Sequence, residues 1–475
     1  MMCDRYLVNA PIERTRRPVV VDLFAGAGGL SLGFEMAGFD VVAAVEYDPV
    51  HAATHAYNFP NAPVICRDVR RVEALDLLAA AQEGWKAHNP EGEWDGVIDV
   101  VVGGPSCQGF SSMGKQDVDD DRNELVSEFV RLVEGLSPRA FVMENVPGIL
   151  APQFASLVDD AIRRFVAAGY TLRDHSQPLD ATEYGVPQRR KRVFIVGVAP
   201  GYELVPIAKT GSEVVTVADA LIGLPSLSGR TRSDGELLEM NREQSARYSE
   251  SLTTPYLQTL TDMAPARLGE TDGVLSGYLV TAHSAESARR FALVPQGGTD
   301  QVSRLWRLDE HRPSRTLRAG TGSERGSFSA ARPLHPSEPR VITVREAARL
   351  HSFPDWFRFH GTNWHAHRQI GNAVPPLLAK AVAESVRSSL GEQFVLRTCT
   401  EMNAERDERL LVMTSSEAKL YFEAGDDDIP AKRNRVRHAT APLLATPMVD
   451  PVDAGIVLNR TPISTSLGMA VSAQL

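Results

Sequence analysis

VVVDLFAGAGGLSLGFEMAGF (residues 19–39) begins as an unbroken apolar run, places Asp22 near its end, turns through Gly26, Gly28 and Gly29, and continues as a helix from about Leu30. A buried strand, a glycine-rich turn and a helix in that order form the opening unit of a parallel sheet with crossover helices. Small residues in such a turn let the backbone approach a nucleotide-like ligand closely. Glu46, at the end of the next apolar run, stands where it can accept hydrogen bonds from ribose hydroxyls. The turn lacks the GxGxxG spacing that cradles a dinucleotide pyrophosphate, so on its own it reads equally well as a tight strand-to-helix turn.

The same alternation continues to about Gly197. VVAAVE (41–46), DVVVGG (99–104), FVMEN (141–145) and VFIVGV (193–198) read as central strands. Leu125, Phe129, Leu132 and Leu136 recur at helical spacing before Pro138, and Phe154, Leu157, Ala161 and Phe165 do so before Gly169. From about 200 to 311 the alternation gives way to Ser, Thr, Gly and short helical pieces such as VTVADALIGLP, which reads as a separate irregular module. Regular patterning returns at 341–357 and in AVPPLLAKAVAESV (373–386), helical after its two prolines. The expected division is an extension (1–18), a sheet-and-helix domain (19–199), an irregular domain (200–340), a return segment completing the first domain (341–389) and a loosely attached, partly disordered tail (390–475).

The 475 residues carry 50 Lys+Arg against 60 Asp+Glu, a net charge of -10, which argues against a sequence-independent polyanion binder. No apolar run is long enough to span a bilayer and the amino terminus scatters charges, so a cytoplasmic protein without a membrane partner is expected. The 4 cysteines, Cys3, Cys66, Cys107 and Cys399, form no CxxC pair, which leaves neither a disulfide framework nor a metal site. A functional cysteine would act alone.

Cys107 is the candidate. It lies in GGPSCQGFSSMGK (103–115), directly after a strand, where open α/β sheets bind ligands. Most lone cysteines are small buried hydrophobes, but a Gly- and Ser-rich loop is a poor place to bury one. Glu144, in MENVPG (143–148), ends another strand at the same edge and can serve as a proton donor or hydrogen-bond partner. Asp68 suits a base amine, or simply a helix cap.

Taken together these pieces resemble the DNA (cytosine-5) methyltransferases over about residues 19–389. DLFAGAGG is similar to the family's first motif, GGPSCQGFS to its nucleophile motif, MENVPG to its glutamate motif, EYGVPQRRKRVFIVG (183–197) to its arginine motif and RQIGNAVPP (368–376) to its last. HRPSRTLRAG (311–320) and ITVREAARLHSFPDWF (342–357) precede that last motif. One departure is Ser106, where the family usually has Pro.

The resemblance implies a Rossmann-like α/β methyltransferase that uses S-adenosylmethionine, with a smaller irregular target-recognition domain. It implies catalysis by Cys107, Glu144, Arg190 and Arg192, the two arginines holding the cytosine carbonyl and the loop in position. A cofactor site would be lined by Phe24, Ala25, Gly26, Gly28, Gly29, Leu30, Glu46, Tyr47, Asp68, Leu125 and Asn372. The substrate would be duplex DNA, with the target cytosine flipped out of the stack and the loop from Gln108 to Arg122 moving. Recognition contacts would include Arg289, Arg290, Arg304 and Arg307, with Arg312, Arg315 and Arg318 contacting backbone or organising the module. The enzyme would be monomeric, and either paired with a restriction endonuclease or solitary. Competing readings are a tRNA cytosine-5 methyltransferase, a catalytically silent DNA binder and, weaker, a dinucleotide oxidoreductase. On these readings residues 391–475 are dispensable for methylation.

Overall fold

Val19, Val20, Val21 and Leu23 are all fully buried, because the strand they form lies at the centre of a sheet covered on both faces. The structure, a computed structural model, describes residues 16–105, 124–210, 213–261, 273–320, 332–391, 406–425 and 428. Its main sheet contains β1 (Val19–Leu23), β2 (Asp40–Val45), β3 (Val64–Ile65), β4 (Val100–Gly103), β5 (Ala140–Asn145), β6 (Thr171–Leu172), β7 (Leu179–Asp180) and β8 (Lys191–Val198). The order is β3-β2-β1-β4-β5-β8-β6, with β7 also paired to β8. It reverses direction between β1 and β4, the place where open sheets of this kind leave a crevice at their carboxyl ends.

One expectation needs correction. The strand at 193–198 was read as part of a parallel sheet, yet β8 runs antiparallel to both β5 and β6. Between β6 and β8 there is no crossover helix, only β7 and a short 3-10 turn at Ala181–Tyr184, and a parallel return requires a longer connection.

The helices α1 (Gly29–Met36), α2 (Pro49–Asn58), α3 (Ala74–His88), α4 (Glu124–Leu136) and α5 (Ala155–Ala167) follow β1 to β5 in turn. Alternate residues of the strands divide between two layers. Val20, Val100, Val102, Ala140 and Val142 pack toward α1, whereas Val19, Val21, Val101, Phe141 and Met143 pack toward α3, α4 and α5. The α1 layer is finished by the distant α12 (Pro376–Ser389). A Cβ on Gly33 would lie only 2.3 Å from that of Ala379, so the two helices meet where both residues are small.

The middle of the chain carries α6 (Val217–Leu221), β9 (Leu238–Glu239), α7 (Arg242–Ser251), α8 (Pro255–Thr261), β10 (Val274–Leu275) and α9 (Ala285–Leu293). It has a small core of its own around Leu227, Leu238, Tyr248, Leu275 and Tyr278. Val217, Ala220, Tyr256, Leu257 and Leu260, however, belong to the same apolar cluster as α10 (Val344–Leu350), α11 (Asn363–Asn372) and α12. The irregular module is therefore continuous with the main core and not separated from it.

Charged residues fasten this junction. Arg349 is wholly buried and donates to Asp355 Oδ2 at 2.6 Å and to the carbonyls of Ala220 and Ile222 at 3.2 and 2.8 Å. Arg345, also buried, donates to the carbonyls of Ser276, Pro354 and Phe357. The arginines pull Asp355 down to about 2 despite its burial. Nothing in the helical spacing of VREAARL distinguishes these two arginines from ordinary surface cations.

Loose attachment does not describe residues 406–425. They form a 3-10 turn at Glu408–Leu411 and α13 (Ser415–Tyr421), with Leu410, Leu411 and Ala418 buried against Ala53 and Tyr57 of α2. Apolar side chains at those positions are enough to dock a short segment, because each buried leucine contributes roughly 1.5–3 kcal/mol.

Candidate active site

Register alone lines up the candidate residues. Leu23 pairs with Val45 on one side and Gly103 on the other, and Gly103 pairs with Met143. The next residue on each strand is Glu46, Phe24, Gly104 or Glu144, so these four stand in one row along the carboxyl edge. With strands ~4.8 Å apart, the row is roughly 14 Å long, enough for a nucleoside at one end and a base at the other.

At the Glu46 end, the carboxylate ties two loops together. Its Oε2 accepts from the Gly26 amide and its Oε1 from the Asp48 amide, both at 2.7 Å. Burial raises this carboxyl above its ordinary value, against the lowering influence of His51 and of those amides. The glycine turn is shaped on every side. Phe24 holds a φ of 64° and Gly28 a φ of 103°, and a Cβ on Gly28 would run into the Phe59 ring. A Cβ on Gly29 would sit 2.5 Å from the carbonyl of Val374, so the RQIGNAVPP segment lies directly on the turn. Over Gly26, in contrast, a Cβ would meet nothing within 4 Å. Ala25 is buried, its amide held by the Val45 carbonyl, and Leu30 is buried in α1.

Tyr47 and Asp68 are neighbours beyond Glu46. The Tyr47 hydroxyl is raised by partial burial and then by the charges of Asp68 and Asp48. Asp68 does cap a helical turn, accepting from the Arg70 amide at 3.1 Å, and still keeps part of its carboxylate exposed. Leu125 sits in the first turn of α4 against the layer that also receives Phe24. Asn372, the last residue of α11, is exposed beside the turn contacted by Val374.

At the other end, Glu144 is half-buried and its Oε1 accepts from Arg192 Nε at 2.7 Å. Burial pushes its carboxyl up, opposed by the charges of Arg192 and Arg190. Gly104 leaves room for it: a Cβ there would stand 2.8 Å from Glu144 Oε2. Asn145 next door donates to the Pro105 carbonyl at 3.2 Å and fixes the start of the loop that leads to Cys107. Cys107, Ser106 and the expected moving loop 108–122 lie outside the described residues. Cys66 is described, and burial pushes its thiol up to about 12, which makes it a poor nucleophile.

Arg190 departs from its expected place at the cytosine carbonyl. Its guanidinium is 1% exposed and donates to the carbonyls of Leu317, Gly371 and Ala373 at 3.1, 2.9 and 2.9 Å. It therefore holds the return segment onto the first domain, and the loop it was expected to steady lies outside the described residues. Arg307 is likewise no DNA contact: it is buried and donates to the carbonyls of Phe291, His335, Pro336 and Glu338. Arg290 pairs with Asp300, and Arg315 lies over the Trp306 ring. Arg289, Arg304 and Arg318 remain exposed, as does Arg312, 3.5 Å from Asp309. The spacing of arginines in the sequence gives no means of separating these struts from outward-facing cations.

No group of three or more metal-ligating side chains and no helix long and apolar enough to cross a membrane occurs among the described residues. Comparison with known proteins agrees with the geometry. The C-5 cytosine-specific DNA methylase family matches residues 19–388. The Type II methyltransferase M.XorII of Xanthomonas oryzae pv. oryzae is 41% identical over 430 residues, covering 90% of this chain and 97% of that protein. Such a match necessarily extends beyond residue 388, into the segment that carries α13. The Type II methyltransferase M1.HphI of Haemophilus parahaemolyticus is 34% identical, covering 81% of this chain and 91% of its own. Among solved structures, a prophage-encoded E. coli protein described as a DNA modification methyltransferase superposes with a TM-score of 0.65 at 36% identity, covering 79% of this chain and all of that one. The chain belongs to the C-5 cytosine-specific DNA methylases and is a DNA cytosine-5 methyltransferase.

Proposed function

We propose that the enzyme methylates a flipped-out cytosine within one short duplex sequence, using S-adenosylmethionine and a transient covalent bond from Cys107, as the modification half of a Type II restriction-modification system. The observation that carries this reading is the row Glu46, Phe24, Gly104, Glu144 at the carboxyl edge, with Arg192 against Glu144 at 2.7 Å. When bound, S-adenosylmethionine supplies an electrophilic methyl group.

The residues present fit that cofactor. The open space over Gly26 exposes backbone to a ligand, and each Glu46 oxygen spends one lone pair on an amide, leaving others for ribose hydroxyls. Phe24, Ala25, Gly28, Gly29 and Leu30 would line the same turn, Asp68 would take the adenine amine, and Tyr47, Leu125 and Asn372 would close the sides.

Cytosine carbon 5 is a poor nucleophile until something adds at carbon 6. The Cys107 thiolate forms that bond. Glu144, whose buried carboxyl favours keeping its proton, hydrogen-bonds or protonates ring nitrogen 3 and makes the ring enamine-like. Arg192 steadies Glu144 and offers its remaining donors to the cytosine carbonyl. Once carbon 5 carries the methyl group its proton passes to water, the Cys107–carbon 6 bond breaks to regenerate the thiolate, and a proton given to ring nitrogen 3 returns to Glu144. The target must leave the helix stack to reach this edge. The type of relatives supports a paired endonuclease, and location of all assigned residues on one chain supports action as a monomer.

The test is bisulfite sequencing of DNA from a methylation-free host expressing the protein, with Cys107→Ser as control. Protected cytosines in one short context, absent from the control, are expected. Unmodified DNA from a host that makes soluble protein able to bind S-adenosylmethionine would sink the proposal.

A further inference from the structure

The segment after the family region reaches both sides of the cofactor end. On one side it packs on α2: Leu410, Leu411 and Ala418 bury against Ala53 and Tyr57, and the Tyr57 hydroxyl donates to Glu408 Oε1 at 2.6 Å. The Gly361 amide donates to the Leu411 carbonyl at 2.8 Å, anchoring the same turn to the return segment. On the other side Phe422 and Ala424 pack by Ala52 and Cys66, and the chain then reaches the turn that bears Asp68. There the Asp68 amide donates to the Asp428 carbonyl at 2.8 Å, while Arg67 Nε meets Asp428 Oδ1 at 2.9 Å.

These two anchor points matter because of what each one carries. α2 begins at Asp48, whose amide is bound by Glu46, so moving α2 moves the ribose-binding carboxylate. The Cys66-Arg67-Asp68 turn follows the two-residue β3, a short edge strand with little pairing, and is tied on its far side by Val69 and Val72 in the core and by Arg131 on their carbonyls. A segment that grips both α2 and this turn therefore helps to set the separation between Glu46 and Asp68.

We propose that residues 406–425, together with Asp428, are a positioning element of the cofactor site, holding Glu46 and Asp68 at the spacing a nucleoside requires. The proposal rests on reading this end of the edge as the S-adenosylmethionine site. None of the segment's residues belongs to the catalytic row, so its loss is felt in cofactor binding and not in the chemical step. The tail is accordingly not dispensable, in contrast to the expectation from sequence.

The test uses the full chain. Leu411→Asp places a carboxylate in the α2 contact and lifts the segment, which amide hydrogen exchange over 406–424 would register as lost protection. Arg67→Asp and Asp428→Arg each remove the ion pair of the second anchor and leave its main-chain hydrogen bond, and the double variant restores an opposite-charge pair. The expected result is a KM for S-adenosylmethionine raised about tenfold, with the Kd of S-adenosylhomocysteine raised in parallel and kcat at saturation within about twofold of wild type, as a 1.4 kcal/mol loss of binding alone would give. The double variant should recover most of the lost affinity. Unchanged KM and Kd in a Leu411→Asp protein whose segment has lost protection, or in a folded Asp428→Arg protein, would overturn the proposal. Wild-type protein that binds no S-adenosylhomocysteine would overturn the cofactor reading itself, and this one with it.

Discussion

Asp22 is fully buried between β1 and α1, where its Oδ2 accepts from the amide and hydroxyl of Ser31 at 3.1 and 2.6 Å. The Ser31 hydroxyl spends its proton there, so its 2.9 Å contact with His55 must use a proton on His55 Nε2. Burial lowers His55 to about 3, which keeps that ring neutral. Burial also raises Asp22 from its ordinary 3.8 to about 7, against the hydrogen bonds from Ser31. In that window the native protein holds a proton that the unfolded chain has released. Stability contributed by this group is therefore complete below about pH 4 and lost as pH rises to about 7. Asp22→Asn, which cannot ionise, should flatten the dependence, so that urea midpoints favour the variant progressively more between about pH 5 and about pH 7, by up to roughly 1.4 kcal/mol per pH unit. A wild-type-to-variant difference independent of pH would show that Asp22 titrates as an ordinary carboxylate. The sequence placed Asp22 at a strand end, but not its partners, since Ser31 and His55 have no pattern that marks them as its neighbours.

At the scale of elements, the long strands and helices were legible because each carries a full apolar period. VVVDLF, FVMEN and the helix ending before Pro138 are where the spacing places them, within a residue or two at the ends. The direction of β8 was not legible, because its apolar run of six residues, VFIVGV, is the same read parallel or antiparallel. The packing partner of α1 was equally hidden, although Gly33 is conspicuous once α12 is seen against it. Gly33→Ala would drive a Cβ to 2.3 Å from that of Ala379, and should destabilise the protein by about 1–3 kcal/mol. Ala379→Gly in the same chain should recover little of that loss, because the Ala379 carbonyl carbon and the Lys380 amide nitrogen would still stand 2.8 Å from the new Cβ. Thermal denaturation of the single and double variants checks it: equal midpoints for Gly33→Ala and wild type would mean that the two helices part without cost. Glu46 and Glu144 stand at strand ends, where their motifs put them. Nothing in the sequence marks Arg190 and Arg307 as donors to main-chain carbonyls, because the carbonyls they serve lie far along the chain.

For the whole molecule, the junction between the recognition module and the return segment depends on two buried arginines. Replacing Arg349 by Met removes one partner of the pair with Asp355 and leaves the carbonyls of Ala220 and Ile222 without their donor. A loss of about 3–5 kcal/mol is expected, read as a fall in the urea midpoint. A loss under about 1 kcal/mol would show that the junction is held by its apolar cluster alone. The division into domains seen in the sequence reflects a change of composition, which does not reveal that α6, α8 and α10 share one core with α12. The interlock of α1 with α12 has a consequence for synthesis. A ribosome making roughly 5–20 residues each second needs about 20–70 s to pass from Gly33 to Ala379. Throughout that interval the face of α1 that α12 will cover has no partner, and two of the carbonyls that Arg190 will bind, those of Gly371 and Ala373, are made only near its end. A chain cut short by premature termination before α12 would thus be a substrate for chaperones and proteases, and host DNA would receive its methyl marks only from chains translated past it.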